Sequence, residues 1–167
     1  MIDQMHKDQK VGVFVDVSNM YYSAKNLHNA KVDFGKLLSM VVGERKLIRA
    51  FAYVIRANIE QENTFFEALE KRGYEVRIKD LQIFMGGEKK GDWDVGLCMD
   101  VIRLIPKIDA LVLVSGDGDY KDLLDYAISQ GVRTEVCAFG RNASARLEEN
   151  CDSFLDMDPL AKQLLIF

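Results

Sequence analysis

The chain has 167 residues, 49% of them hydrophobic and 29% charged, and a formal charge of −4. That length fits one compact unit with its own buried core. The acidic balance excludes a strong non-specific grip on nucleic acid, so any polyanion needs a local basic patch or metal ions to hold it.

In chain order, VGVFVDV (11–17) reads as a buried strand and is followed by a helix from about residue 20 to 27. Residues 34–42 have helical spacing, LIRAFAYVI (47–55) is a second strand, and 61–73 is a helix that Gly73 is placed to end. A strand at 74–79 precedes a polar loop at 84–93. DVGLCMDVIRLI (94–105) reads as a mostly buried helix. Then come a strand at 110–115, a helix at 119–130, a strand at 133–139 and a short helix at 143–150. In the tail, Pro159 stands where a helix would start, and the apolar residues are expected to pack on the body. Strand–helix alternation of this kind predicts a mainly parallel, doubly wound α/β sheet. Function in such sheets gathers beyond the carboxyl ends of the strands, near the point where strand order reverses.

Other chemistries find little support. Cys98, Cys137 and Cys151 form no CxxC pair and, with only His6 and His28, leave too few ligands for a classical zinc site. The thiols read as reduced, in a cytoplasmic protein. The N-terminal MIDQMHKDQK is polar and no apolar run is long enough to span a bilayer, so no membrane association is expected. GDGDYK (116–121) has lysine where a dinucleotide fingerprint needs its third glycine, and there is no P-loop, so no nucleotide cofactor is expected.

The aspartates fall where the switch-point rule puts a site. Asp16 ends the first strand, Asp117 and Asp119 follow the strand at 110–115, and Asp92 and Asp94 open the helix at 94–105. Each alone has an ordinary explanation as a helix cap, with Ser18, Asp92 and Asp117 as the cap candidates. Two junctions carry a pair, however, and capping uses one carboxylate. If Asp16, Asp94, Asp117 and Asp119 converge, the charges at about 4 Å repel by roughly 4 kcal/mol per pair at an effective dielectric near 20. A cation among them would relieve that repulsion, and an all-oxygen ligand set suits Mg²⁺ or Mn²⁺. Such an ion would serve phosphodiester hydrolysis. Gly116 and Gly118 would let the backbone turn sharply toward a phosphate, and Lys89 and Lys90 would hold a polynucleotide backbone. Asp100, six residues past Asp94 and among apolar neighbours, calls for a supporting hydrogen bond. Tyr21, Tyr22 and Trp93 are placed to stack on bases or to pack at a rim.

The segments GVFVDVSNMY, KKGDWDVGLCMDV and LVLVSGDGDY, in that order, resemble the three signature segments of the NYN domain, a branch of the PIN-like nuclease superfamily that includes a bacterial LabA-like group. The resemblance runs from about Val11 to Asp156. It implies a PIN-like three-layer α/β/α fold with a Rossmann-like sheet, a single domain over residues 1–167 with its core at 11–156 and an apolar tail at 157–167. It also implies a ribonuclease that uses one or two Mg²⁺ or Mn²⁺ ions, and single-stranded RNA is the expected substrate. Asp16 matches the first-strand acid and Asn19 the asparagine of D-x-x-N. Asp94 matches the helix acid, Asp100 the second acid of that segment, and Ser115, Asp117 and Asp119 the S-G-D-x-D turn. One residue is inserted before Asp94, which leaves Asp92 as a possible substitute. Ser144 is a candidate substrate contact. The rival function is an NYN-like module without activity that binds RNA or a protein partner. Leu160, Leu164, Leu165 and Phe167 could line a homodimer contact or pack within the chain.

Overall fold

The computed structural model describes residues 6–57, 60–83, 85–86, 89–90 and 92–167, with residues 83, 89 and 90 described by their backbone alone. Its centre is a six-stranded sheet of order β4-β3-β1-β7-β8-β9, in which every pairing is parallel. The strands are β1 (Lys10–Asp16), β3 (Lys46–Arg56), β4 (Glu75–Asp80), β7 (Ala110–Val114), β8 (Arg133–Ala138) and β9 (Ser153–Asp156). The chain builds outward from β1 through β3 to β4, then crosses back to place β7 on the other side of β1. The strand order therefore reverses between β1 and β7.

Period-two alternation explains the layers. Val11, Val13 and Val15 of β1 join Ala50, Ala52 and Val54 of β3 in one core. There they pack against α1 (Val17–His28), α2 (Phe34–Val42) and α3 (Glu62–Lys71). Phe14, Phe51, Tyr53, Leu111 and Leu113 point the other way. They pack against α4 (Asp94–Leu104), α5 (Lys121–Ser129) and α6 (Ala145–Asn150). The result is the α/β/α sandwich expected from the alternation of elements.

Four features differ from the sequence reading. First, α1 starts at Val17 rather than near residue 20, and its N-cap is Asp16, not Ser18. The Asp16 carboxylate accepts the Asn19 N–H at 3.2 Å. Second, α4 is buried along one stripe only: Leu97, Val101 and Leu104 face the sheet, while Val95, Met99 and Ile102 are exposed. Third, the sequence reading has no strand at β9, whose four half-buried residues are too short a run to show a period. Fourth, short ribbons form where only loop and tail were expected. β5 (Gln82–Ile83) pairs with β6 (Lys89–Lys90) inside the polar loop. β10 (Leu165–Ile166) pairs antiparallel with β2 (Lys31–Val32). Pairing between distant segments leaves no local pattern to read. The tail packs as expected: after a 3-10 turn at Asp158–Leu160 and helix α7 (Ala161–Leu164), Leu164 and Leu165 are buried, while Phe167 is exposed. No helix among the described residues is long and apolar enough to cross a membrane.

A candidate acidic site at the strand-order switch

The crevice at the carboxyl ends of β1 and β7 is where the carboxylates meet. One oxygen from each of Asp16, Asp94 and Asp117 lies within 4.8 Å of the other two. They line a cleft of about 350 Å³ together with Ser18, Asn19, Tyr22 and Trp93. Asp16 arrives as the last residue of β1, Asp117 from the turn after β7, and Asp94 as the first residue of α4.

Hydrogen bonds fix this arrangement. The Ser115 hydroxyl, fully buried, donates to Asp16 Oδ2 at 3.2 Å and accepts the Asp117 N–H at 3.2 Å. One side chain thus ties the two strand ends together. Asn19 Oδ1 accepts the Gly116 N–H at 2.9 Å, locking the start of α1 to the same turn. Asp117 caps the turn that follows by accepting the Asp119 N–H at 2.9 Å. The buried Tyr120 hydroxyl donates to Asp94 Oδ1 at 3.1 Å. Capping and clustering are therefore not alternatives. Asp16 and Asp117 each cap with one oxygen, and each also contributes an oxygen to the cluster.

The electrostatics carry the cost of that convergence. Burial, opposed by the hydrogen bonds from Asn19 and Ser115 and reinforced by the charges of Asp94 and Asp117, pushes Asp16 up to about 6. Asp94 is also raised, first by burial and then by Asp117, Asp92 and Asp119, against the Tyr120 hydrogen bond. Three carboxylates held by a strand end, a turn and a helix start, one of them raised by burial, fit a hard cation with oxygen ligands.

The remaining candidates fall around this centre. Asp119 is exposed and is not one of the three converging acids, although its charge reaches Asp94. Asp92 borders the cleft and its carboxylate accepts the Asp94 N–H at 3.2 Å, but it is not the cap expected for α4: Trp93 takes that position without a side-chain cap bond, and Asp94 enters the cluster. Asp100 stands apart. It accepts the Tyr53 hydroxyl at 2.9 Å and pairs with Arg77 and Arg103 at 3.5 and 3.3 Å. Its link to the cleft is indirect, through the Tyr53 ring packed 5.3 Å from Trp93. Ser144 caps α6, donates its N–H to Gly116 O at 2.9 Å, and abuts the turn. The side chains of Lys89 and Lys90 lie outside the described residues.

Gly116 and Gly118 matter for a reason other than the one expected: neither has positive φ. A Cβ at 116 would lie 3.1 Å from Ala143 Cα, and one at 118 would lie 2.5 Å from Ser144 Oγ and 2.9 Å from Ser144 Cβ. They let the 142–144 segment press on the turn. Gly118→Ala is therefore expected to cost about 1–3 kcal/mol. Urea denaturation should show that cost shrinking when Ser144→Gly is added, and equal costs in both backgrounds would refute the contact.

Sequence reasoning missed Tyr120. Its signal was available in principle, because a buried tyrosine next to an acidic turn needs a partner for its hydroxyl.

Residues 10–158 match the model of the NYN domain. The chain belongs to the NYN domain family. As an NYN domain it falls in a nuclease-like family, and its relatives span nearly the same length. It is 23% identical over 162 residues to the Low amplitude and bright protein LabA of Synechococcus elongatus, covering 92% of this chain and 87% of that one. A crystal structure of a protein of unknown function from Vibrio parahaemolyticus superposes with a TM-score of 0.88 at 30% identity, covering 98% of this chain and 99% of the other.

Proposed function

We propose that this NYN domain is a ribonuclease that hydrolyses phosphodiester bonds with one or two Mg²⁺ or Mn²⁺ ions held by Asp16, Asp94 and Asp117. The observation that carries this reading is the convergence of the three carboxylates at the switch point, with Asp16 pushed up to about 6. A fold gains nothing from clustered like charge unless a cation offsets it. When bound, such an ion neutralises the phosphodiester and activates water for attack at phosphorus.

The chain's own groups have separable tasks. Ser115 and Tyr120 hold the Asp16 and Asp94 carboxylates in place, and Asn19 holds the turn that carries Asp117. A cation held there would favour the ionised form of Asp16, offsetting the burial that raises it. Asp119, open to solvent at the turn, adds its charge to the field at Asp94, and Asp92 completes the acidic rim. Asp100 acts through Tyr53 and Trp93 on the cleft wall. Lys89, Lys90 and Ser144 are assigned to the substrate backbone.

The test is cleavage of labelled RNA in Mn²⁺ and in EDTA, with Mn²⁺ binding followed by calorimetry. Wild type should cleave only with the ion. Asp117→Asn, which keeps its capping oxygen, should lose at least tenfold in Mn²⁺ affinity. Unchanged affinity would refute the ligand assignment. Intact Mn²⁺ binding without cleavage of any RNA would leave a regulatory module that binds RNA or a protein.

A further inference from the structure

Beside the acidic cleft, the surface carries a feature that the carboxylates do not explain. Three hollows adjoin one another. The cleft shares Ser18, Tyr22 and Ile55 with a second hollow of about 450 Å³. That hollow shares Tyr21, Gln61 and Phe65 with a third of about 390 Å³. Together they form a trough that runs from the carboxylates past α1 and along α3 to Arg72 and residues 31–35.

Aromatic rings line it in sequence and are open to solvent: Tyr22 is 61% exposed, Tyr21 45% and Phe65 38%. The two tyrosine rings meet edge to face at 5.4 Å, so they present differently oriented surfaces along the path. Cations stand along the same route. Lys25 Nζ lies 5.9 Å from the Tyr21 ring, and Lys31 and Arg72 border the far hollow. None of the three forms an ion pair among the described residues. Two acids also border the hollows, Glu62 the middle one and Asp33 the far one, each held by a backbone N–H: Glu62 accepts the Ala57 N–H with both oxygens at 3.0 Å, and Asp33 accepts the Lys36 N–H at 3.0 Å. Exposed rings leading from the acidic cleft to unpaired cations at the far hollow match a chain of bases joined by phosphates. They do not match an apolar peptide, which would leave the cations without partners.

We propose that this trough is the track for single-stranded RNA, its unpaired bases stacking on Tyr22, Tyr21 and Phe65 and its phosphates meeting Lys25, Lys31 and Arg72. The proposal rests on the ribonuclease reading for the direction of the strand, which enters or leaves through the carboxylates. A duplex keeps its base faces stacked on one another and has none to offer the rings. The trough thereby makes the NYN site select unpaired RNA.

The test is fluorescence anisotropy with a labelled RNA decamer, single-stranded or annealed, titrated in EDTA so that hydrolysis does not intervene. Mn²⁺ binding is measured separately by calorimetry. The single strand should bind at least tenfold tighter than the duplex. Tyr21→Ala and Phe65→Ala should each weaken it by about tenfold. Tyr21→Phe should bind as wild type, because the face of the ring and not the hydroxyl is used. Mn²⁺ affinity should be unchanged in all three variants. Since Phe65 also packs near Phe34 and Phe66, Tyr21→Ala decides the matter if Phe65→Ala unfolds. Equal binding of single strand and duplex, or alanine variants that bind as wild type, would overturn the track and leave the trough to a protein partner. Loss of the Mn²⁺ reading with the ring effects intact would sink the nuclease and keep the track.

Discussion

Asp16→Asn is expected to lower Mn²⁺-dependent RNA cleavage by about a hundredfold or more, and at the same time to stabilise the metal-free protein above pH 7. The two effects share one cause. Asn is as good an N-cap as Asp, so the substitution preserves the hydrogen bond to Asn19 N–H and removes the charge, while the Ser115 hydroxyl has to turn and accept from the new amide instead of donating. In the folded protein Asp16 titrates near 6, against an ordinary value of 3.8. A carboxyl whose folded value is raised favours folding fully below pH 4, and that contribution is lost as pH rises through about 6. A rise of that size corresponds to about 3 kcal/mol at most. Wild type and variant should therefore melt together near pH 4 and diverge at pH 8, with the variant higher by several degrees. Saturating Mn²⁺ should reverse the order, because only wild type gains binding energy on folding. A variant that is less stable than wild type at pH 8 in EDTA would mean that the charge serves the α1 dipole, which is worth about 0.3–1 kcal/mol, and not a cation.

The largest stability effect is expected at Glu135→Ala, which should cost about 3–5 kcal/mol and lower the melting temperature by about 10 °C. Glu135 sits on β8, and its oxygens grip Arg45 as a fork at 2.7 and 3.0 Å, with both side chains almost fully buried. Arg45 also donates to Gln9 Oε1 at 2.9 Å and to the Val42 carbonyl at 3.2 Å, so the pair clamps the end of α2 to the sheet. Truncating Glu135 removes two of the five hydrogen bonds that Arg45 makes among the described residues and leaves its guanidinium charge without a counter-ion in the interior. Replacing both, as Arg45→Met with Glu135→Leu, should recover much of the loss, since the buried pair is then gone, although the contact of Glu135 with Arg133 at 3.2 Å is lost as well. Urea denaturation of the single and double variants checks this. A single-variant loss below about 1 kcal/mol would mean that water hydrates the pair.

Most of the α/β/α framework was legible because its signals are local. Apolar runs such as VGVF and ALVLV, helical spacing in 34–42 and 61–73, and the order of strands and helices fix the layers without knowledge of any contact. The same locality explains the errors. Nothing near residue 153 says that a four-residue strand will pair with β8, and nothing in Leu165–Ile166 names Lys31–Val32 as its partner.

For the site, the sequence by itself determined which aspartates stand at strand ends and helix starts, because those positions follow from element boundaries. Only the tertiary structure decided which of them meet. Asp16 and Asp117 are joined through Ser115 across 99 residues, and Asp94 joins them because Tyr120, on the turn after β7, reaches back to α4. It also decided that Asp119 faces solvent, that Asp92 accepts the Asp94 N–H from outside the helix, and that Asp100 pairs with Tyr53, Arg77 and Arg103. Charge repulsion and burial depend on distance and not on chain order. A pattern of carboxylates becomes a site only when the parallel sheet brings its carboxyl ends side by side.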